Sequence, residues 1–280
     1  MRAHVLTYHS HHVVGETYSR NDHVALKVDL DLITDLGCEI VSLSEVVDEL
    51  TQGARGGHDE SVKVAITFDD GPIYDVDAFT HPTFGPQRGF LGIMRDFVAK
   101  RGVRTQPSLC ATSFVIASPD ARRVIESTYD AEYTFVGPGA MTDDWWNRAI
   151  DSGLISIANH SWDHLHPALR TVAHSRQAKG DFRQVTTAED ADAQIRNAGI
   201  AIAARTNGRH APYFAFPFGQ YNAFLVGEYL PSNSERIGLR AAFTDEPKMI
   251  TGHESQWCLP RYICGHHWKS PSALASILET

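Results

Sequence analysis

Two adjacent carboxylates, Asp69 and Asp70, follow Val62-Lys63-Val64-Ala65-Ile66-Thr67-Phe68, the clearest strand-like run in the chain. In a confined site such a pair cannot stay doubly ionised without a cation beside it. Alone, it reads equally well as a solvated Asp-Gly turn that ends a strand. The second constellation is His160-Ser161-Trp162-Asp163-His164. Its spacing puts both imidazoles on one face if the segment makes a helical turn, and suits two ligands of one zinc-like ion with a carboxylate as the third. By itself the pattern also fits two surface histidines among the 15 that the chain contains. The combination is more specific, because both groups arrive at the ends of predicted strands, where α/β folds gather their sites.

The elements that would position these groups alternate along the chain. Val5-Leu6-Thr7-Tyr8 reads as a short buried strand ending at His9, followed by a polar loop to about Asn21. Apolar spacing through Val28, Leu32 and Leu36 predicts a helix that stops at Gly37. A strand over 39–43, a helix capped by Ser44 and running to Leu50, and a loop over 52–60 come next. Beyond the acidic pair, 74–89 reads as an irregular insertion, 90–100 as a helix and 108–115 as a strand. Helices are predicted over 120–129 and 143–152, and a strand over 154–158 delivers Asn159 and His160. A long helix over 186–205 precedes Phe214-Ala215-Phe216, which delivers Pro217, and short strands near 241–243 and 261–263 close the pattern. Such alternation predicts a parallel α/β architecture. No Pro/Gly/Ser-rich linker divides the chain, so one domain over 1–280 is the simplest organisation.

Composition narrows the partners. The 280 residues are 42% hydrophobic and 21% charged, ordinary for a globular core, and carry a formal charge of -9. That balance, without a clustered run of Lys and Arg, speaks against nucleic acid and favours a neutral or cationic ligand. No segment approaches the roughly 18 apolar residues of a membrane span. The N-terminus lacks the apolar core of a signal peptide, which predicts a cytoplasmic protein, or an extracytoplasmic one if a leader has been removed. Cys38, Cys110, Cys258 and Cys264 show no CxxC spacing and are expected to be free thiols, with a 258–264 pairing as the minor alternative. Oligomeric state is not legible.

Taken together, Thr67-Phe68-Asp69-Asp70-Gly71, His160-Ser161-Trp162-Asp163-His164 and Phe216-Pro217-Phe218-Gly219 resemble the ordered motifs of the polysaccharide deacetylase family (NodB homology, carbohydrate esterase family 4). Leu6-Thr7-Tyr8-His9, the run from Phe216 to Gln220-Tyr221-Asn222, and Leu259-Pro260-Arg261 are similar to the subgroup acting on poly-N-acetylglucosamine. Ala111-Thr112-Ser113-Phe114 resembles a further core strand. The resemblance implies a distorted (β/α) barrel of about seven strands and metal-dependent removal of N-acetyl groups from N-acetylglucosamine-containing saccharides. It implies Asp69 as general base, and Asp70, His160 and His164 as ligands of a divalent cation, most readily zinc, with cobalt, nickel or iron accommodated by the same set. It further implies that the backbone N–H of Phe218 assists the oxyanion.

The chain departs from the family pattern in two places. Many members carry an arginine two residues before the motif proline, where this chain has Ala215. Arg261 is the candidate to orient Asp69 in its place, or else is an ordinary surface or structural arginine. The late leucine-to-histidine motif that supplies the general acid is not cleanly present after Ile263. His266, with His267 beside it, lies near the right place, and His9 competes because the end of the first strand should open onto the same rim. Trp162, Pro217 and Tyr221 are candidate substrate contacts, although most of the tryptophans are expected to pack in the core. Insertions over 74–89 and 133–144 would narrow the groove and favour a small substrate. Rival readings are hydrolysis of another amide, such as a formyl group or a cyclic ureide, and a catalytically silent carbohydrate-binding member.

Overall fold

The computed structural model describes residues 1–52, 61–128, 135–174 and 179–279. Its strands in chain order are β1 (Ala3–Tyr8), β2 (Glu39–Val41), β3 (Lys63–Phe68), β4 (Phe79–His81), β5 (Gly85–Gln87), β6 (Ala111–Val115), β7 (Ile155–Asn159), β8 (Tyr213–Ala215), β9 (Ala241–Phe243) and β10 (Tyr262–Ile263). Seven of them lie in the spatial order β10-β1-β3-β6-β7-β8-β9, every neighbouring pair parallel. β2 shares an edge of β3 with β6, pairing with Lys63–Ala65 while β6 takes Thr67 and Phe68.

The sheet curls until one segment touches both of its edges. Leu259 N–H donates to the Ala242 carbonyl at 2.9 Å and Thr244 N–H to the Leu259 carbonyl at 2.8 Å, which joins this segment to β9. A few residues later, Cys264 N–H donates to the Thr7 carbonyl at 2.9 Å, on β1. This is the distorted seven-stranded barrel that the motifs imply.

Continuous apolar runs form these strands because both faces of the parallel sheet are covered. Every residue of β1 and β6 is buried. Val5, Ala65, Phe114, Ala158, Ala215 and Phe243 pack together with Leu43 and Val46 of the helix Leu43–Gln52. Leu6, Ile66, Phe68 and Ile157 pack instead with Leu26, Leu30 and Ile33 of the helix Asp22–Asp35 and with Phe90 and Met94 of the helix Phe90–Arg101. Each fully buried Val, Leu, Ile, Phe or Met among them stabilises the fold by about 1.5–3 kcal/mol.

Side-chain caps set several boundaries that apolar spacing misplaces. The first helix begins at Asp22, since Asn21 accepts the His23 N–H at 2.9 Å. Ser118 caps Pro119–Glu126 in the same way. The predicted helix over 143–152 is confined to Trp146–Asp151. The 74–89 insertion is more ordered than expected, holding the antiparallel β4–β5 hairpin. Phe79 stacks on Tyr74 at 3.7 Å, with Phe135 on the same stack. The predicted loop over 53–60, residue 129 of a predicted helix, and residues 133–134 of the second insertion lie outside the described residues. All four cysteines are free. No helix of the described residues is long and apolar enough to cross a membrane.

Candidate active site

β3 carries the acidic pair to the carboxyl edge of the sheet. Alternation along a strand would send neighbouring side chains to opposite faces. Asp70 instead adopts φ 71°, and this left-handed turn lets both carboxylates reach one cavity. Gly71 follows at φ 68°, so close to β6 that a Cβ there would sit 2.6 Å from Val115 Cγ1.

The histidine pair comes from the end of β7, but not on the helical turn that its spacing anticipates. Residues 160–165 form an irregular loop in which Ser161, His164 and Leu165 have φ of 73°, 61° and 44°. Short polar side chains compete for the backbone amides that a helix would use. Asn159 Oδ1 accepts the Ser161 N–H at 2.8 Å, Ser161 Oγ the His164 N–H at 2.9 Å, and Asp163 Oδ1 the Leu165 N–H at 3.0 Å. The imidazoles converge nonetheless, with ring centroids 4.9 Å apart.

Both Nε2 atoms lie 3.5 Å from Asp70 Oδ1, and one ligand atom from each of the three residues falls within 4.8 Å of the others. The donor set fits a divalent cation. His160 Nδ1 donates to the Ala215 carbonyl at 2.9 Å, which leaves the Nε2 lone pair facing Asp70. Burial pushes the His164 imidazolium pKa down to about 3, so the ring is neutral, as a ligand must be. Burial alone would raise Asp70, but His164, then His11 and His160, hold its carboxyl well below the usual range.

Asp69 has a different partner. Arg261 Nη1 and Nη2 donate to its two oxygens at 2.8 Å each, while Arg261 Nε donates to the Thr244 carbonyl at 2.9 Å. The guanidinium is only 1% exposed. Burial opposes ionisation of Asp69, yet the Arg261 charge, aided by His160 and the two hydrogen bonds, holds its carboxyl below the usual range. Asp69 Oδ2 is 3.9 Å from His160 Nε2, close to the cluster of Asp70, His160 and His164.

The shared cavity measures about 250 Å³, and its lining includes Asp69, Asp70, His160 and His164 together with His9 and Phe218. Phe218, at φ 57°, sets its ring edge-on to His164 at 4.4 Å. Gly219 next to it leaves room for Asp245, since a Cβ there would fall 0.9 Å from Asp245 Oδ1.

Several candidates are not brought in. His266 is exposed outside the cavity, its ring against His267 at 4.6 Å, because the turn after β10 bonds back onto Ile263. Trp162 lines a separate cavity with Ala193, Asn197 and Ile200. Pro217 is buried, and Tyr221 donates to Glu246 Oε1 at 2.5 Å outside the cavity.

Three residues escape the sequence reading. His11 places Nε2 3.6 Å from Asp70 Oδ2, and the bunching of His9, His11 and His12 was the available signal. Asp245 lines the cavity just beyond β9, an acid at a strand end like Asp69. Asp75 lies fully buried, accepting Ser10 Oγ at 2.5 Å and Ser113 Oγ at 2.6 Å, and nothing in its local sequence marks it.

Residues 105–229 match the family model for polysaccharide deacetylase. Over that stretch the chain is similar to polysaccharide deacetylases. The matched stretch includes His160, His164 and Phe218, whereas Asp69, Asp70 and Arg261 flank it. Its fold is shared over nearly the whole length with solved structures of low identity. The Streptococcus pyogenes deacetylase PplD in complex with acetate superposes with a TM-score of 0.64 at 16% identity, covering 100% of this chain and 99% of that one. The de-N-acetylase from Aggregatibacter actinomycetemcomitans gives 0.62 at 15%, covering 99% and 100%. IcaB from Ammonifex degensii gives 0.59 at 16%, covering 100% of both chains. No curated protein matches the chain in sequence.

Proposed function

We propose that the domain hydrolyses the N-acetyl group of an N-acetylglucosamine-containing saccharide, using a divalent cation, most readily zinc, held by Asp70, His160 and His164. The observation that carries this reading is the division of the acidic pair. Asp70 faces two imidazoles while Asp69, in the same cavity, is gripped by Arg261 through both oxygens. A carbohydrate-binding module has no use for a second, separately oriented carboxylate.

When bound, the cation supplies Lewis-acid polarisation of the amide and acidifies a water. Asp69 accepts the proton that this water gives up as its oxygen bonds to the acyl carbon. Arg261 keeps Asp69 ionised for that task and fixes its rotation, so that one oxygen can turn its lone pair to the water only within the plane that the guanidinium sets. The backbone N–H of Phe218 is assigned to the carbonyl oxygen as it gains charge. His9, at the end of β1 on the cavity wall, is assigned to protonate the amine as the C–N bond breaks. Acetate, present in the PplD structure, would be the small product.

The test is acetate release from N-acetylglucosamine and its oligomers by the zinc-loaded protein, with and without chelator, beside N-formyl and cyclic ureide substrates. Chelator-sensitive acetate release is expected. Release of formate or ring opening without any acetate would replace the acetyl assignment, and no turnover of any amide would remove the enzymatic reading.

A further inference from the structure

The helical stretch beyond the histidine loop supplies no side chain to the cavity that holds Asp69 and Asp70, yet it is irregular where it meets that loop. Ala188–Ala191 passes through a π turn, Asp192–Arg196, into Asn197–Arg205. One extra residue in a turn loosens the ladder of i to i−4 bonds and turns carbonyls outward, and such bulges are frequent near functional sites. Here the loop uses two of them. The Gln194 carbonyl accepts the Trp162 N–H at 2.7 Å, and the Ile195 carbonyl accepts Asn159 Nδ2 at 2.8 Å. The Gln194 side chain, 0% exposed, donates through Nε2 to the Ala173 carbonyl at 3.3 Å and turns Oε1 toward the Asp163 N–H at 3.5 Å. Asp163 in turn accepts the Ala173 N–H at 2.7 Å.

These bonds bracket both imidazoles. Asn159 precedes His160, Trp162 lies between the pair, and Asp163 precedes His164. The bracketed loop is the one with three non-glycine residues at positive φ, a conformation that persists only when its surroundings over-determine it. A regular helix would keep its carbonyls for its own amides and leave the buried Asn159 amide and the Trp162 N–H without acceptors.

We infer that the π turn at Asp192–Arg196 sets the spacing of His160 and His164, and that Gln194 is a positioning residue for cation binding. The inference rests on the cation site proposed above.

The experiment measures Zn²⁺ affinity by competition with a chromogenic chelator, alongside thermal unfolding of the cation-free protein. Gln194→Met keeps the volume and removes both side-chain bonds. Asn159→Asp keeps the acceptor for Ser161 and removes the donor to Ile195, without touching the helix. Each is expected to weaken Zn²⁺ binding by roughly 10–100-fold, the usual effect of losing a group that orients a ligand, while the cation-free protein still unfolds cooperatively. Gln194→Glu, which keeps an acceptor for Asp163, is expected to fall between Gln194→Met and wild type. Wild-type affinity in a folded Gln194→Met protein, or in Asn159→Asp should Gln194→Met not fold, overturns the inference. If wild-type protein itself fails to bind Zn²⁺, the cation site falls and the inference with it, an outcome distinct from variants that bind as wild type does.

Discussion

The two halves of the site are built in opposite ways. Asp69 extends a strand paired with β1 along its whole length, and its partner Arg261 sits in the segment that ties β9 to β1. The histidines sit on a loop of left-handed residues, held from outside by side chains and by the carbonyls of a distorted helix. The half proposed to handle the proton is therefore rigid because its elements are regular, and the half proposed to hold the cation because its irregularity is satisfied bond by bond. Changes in the first half should alter the chemistry with the cation still bound. Changes in the second should alter cation binding first.

The largest effect is expected from the ligand half. His164→Ala leaves Asp70 and His160 without a third donor, so Zn²⁺ affinity and turnover should fall together, turnover by a thousandfold or more, on the order of the several kcal/mol that a Lewis-acidic cation contributes. Chelation of the wild-type protein should reproduce the loss, and added Zn²⁺ should reverse it only there. Asp69→Asn should lower kcat by about 10²–10⁴-fold, the range for removal of a general base, with Zn²⁺ affinity nearly unchanged. A large loss of Zn²⁺ in Asp69→Asn would erase the distinction between the halves, since Asp69 would then be a ligand.

That distinction was only partly legible in the sequence. The acidic pair is legible because a buried run, Val64 to Phe68, broken only by Thr67, leaves little choice but a parallel strand that ends just before Asp69. The histidine pair converges for a reason other than its spacing: four residues suggest a helical turn, whereas positive φ at Ser161 and His164 brings the rings together. Local periodicity carries no information about such loops, whose conformation is decided by tertiary partners. The π turn was hidden inside a stretch that reads as one continuous helix over 186–205. Arg261 was visible only as a candidate, because its reach to Asp69 depends on how far the sheet curls. Trp162 illustrates the converse: it lies between His160 and His164 in sequence, yet it lines another cavity.

Arg261 sharpens the comparison at smaller amplitude. Arg261→Lys keeps a cation near Asp69 but loses the planar fork that engages both oxygens and the third bond to Thr244. A drop in kcat of roughly 10–100-fold is expected, as for other groups that orient a reacting residue, with KM and Zn²⁺ affinity little changed. Steady-state kinetics beside chelator competition would separate these quantities. Unchanged kcat would return Arg261 to a purely structural role.

The last effect is one of stability rather than turnover, and it concerns the group lying beneath both halves. Asp75 accepts hydroxyls from Ser10, on the loop after β1, and Ser113, on β6. Burial pushes its pKa up to about 7, with the charges of Asp70 and Asp69 adding to the rise against the two hydrogen bonds. In the unfolded chain the group would titrate near 4. A folded pKa above the unfolded one means that the folded state holds the proton more tightly. The stability contributed is fully present below about pH 4 and is lost as pH rises through 7, by up to about 1.4 kcal/mol per pH unit in that window. Asp75→Asn has no proton to lose, so its stability relative to wild type should improve from pH 5 to pH 8, as read from urea midpoints of the cation-free proteins. A cation beside Asp70 would offset the negative charges that help to raise Asp75, so Zn²⁺ should flatten the wild-type pH dependence. A difference between the two proteins that stays constant from pH 5 to pH 8 would mean that Asp75 is ionised throughout, and the two serine hydroxyls would then be sufficient to hold a buried charge under the site.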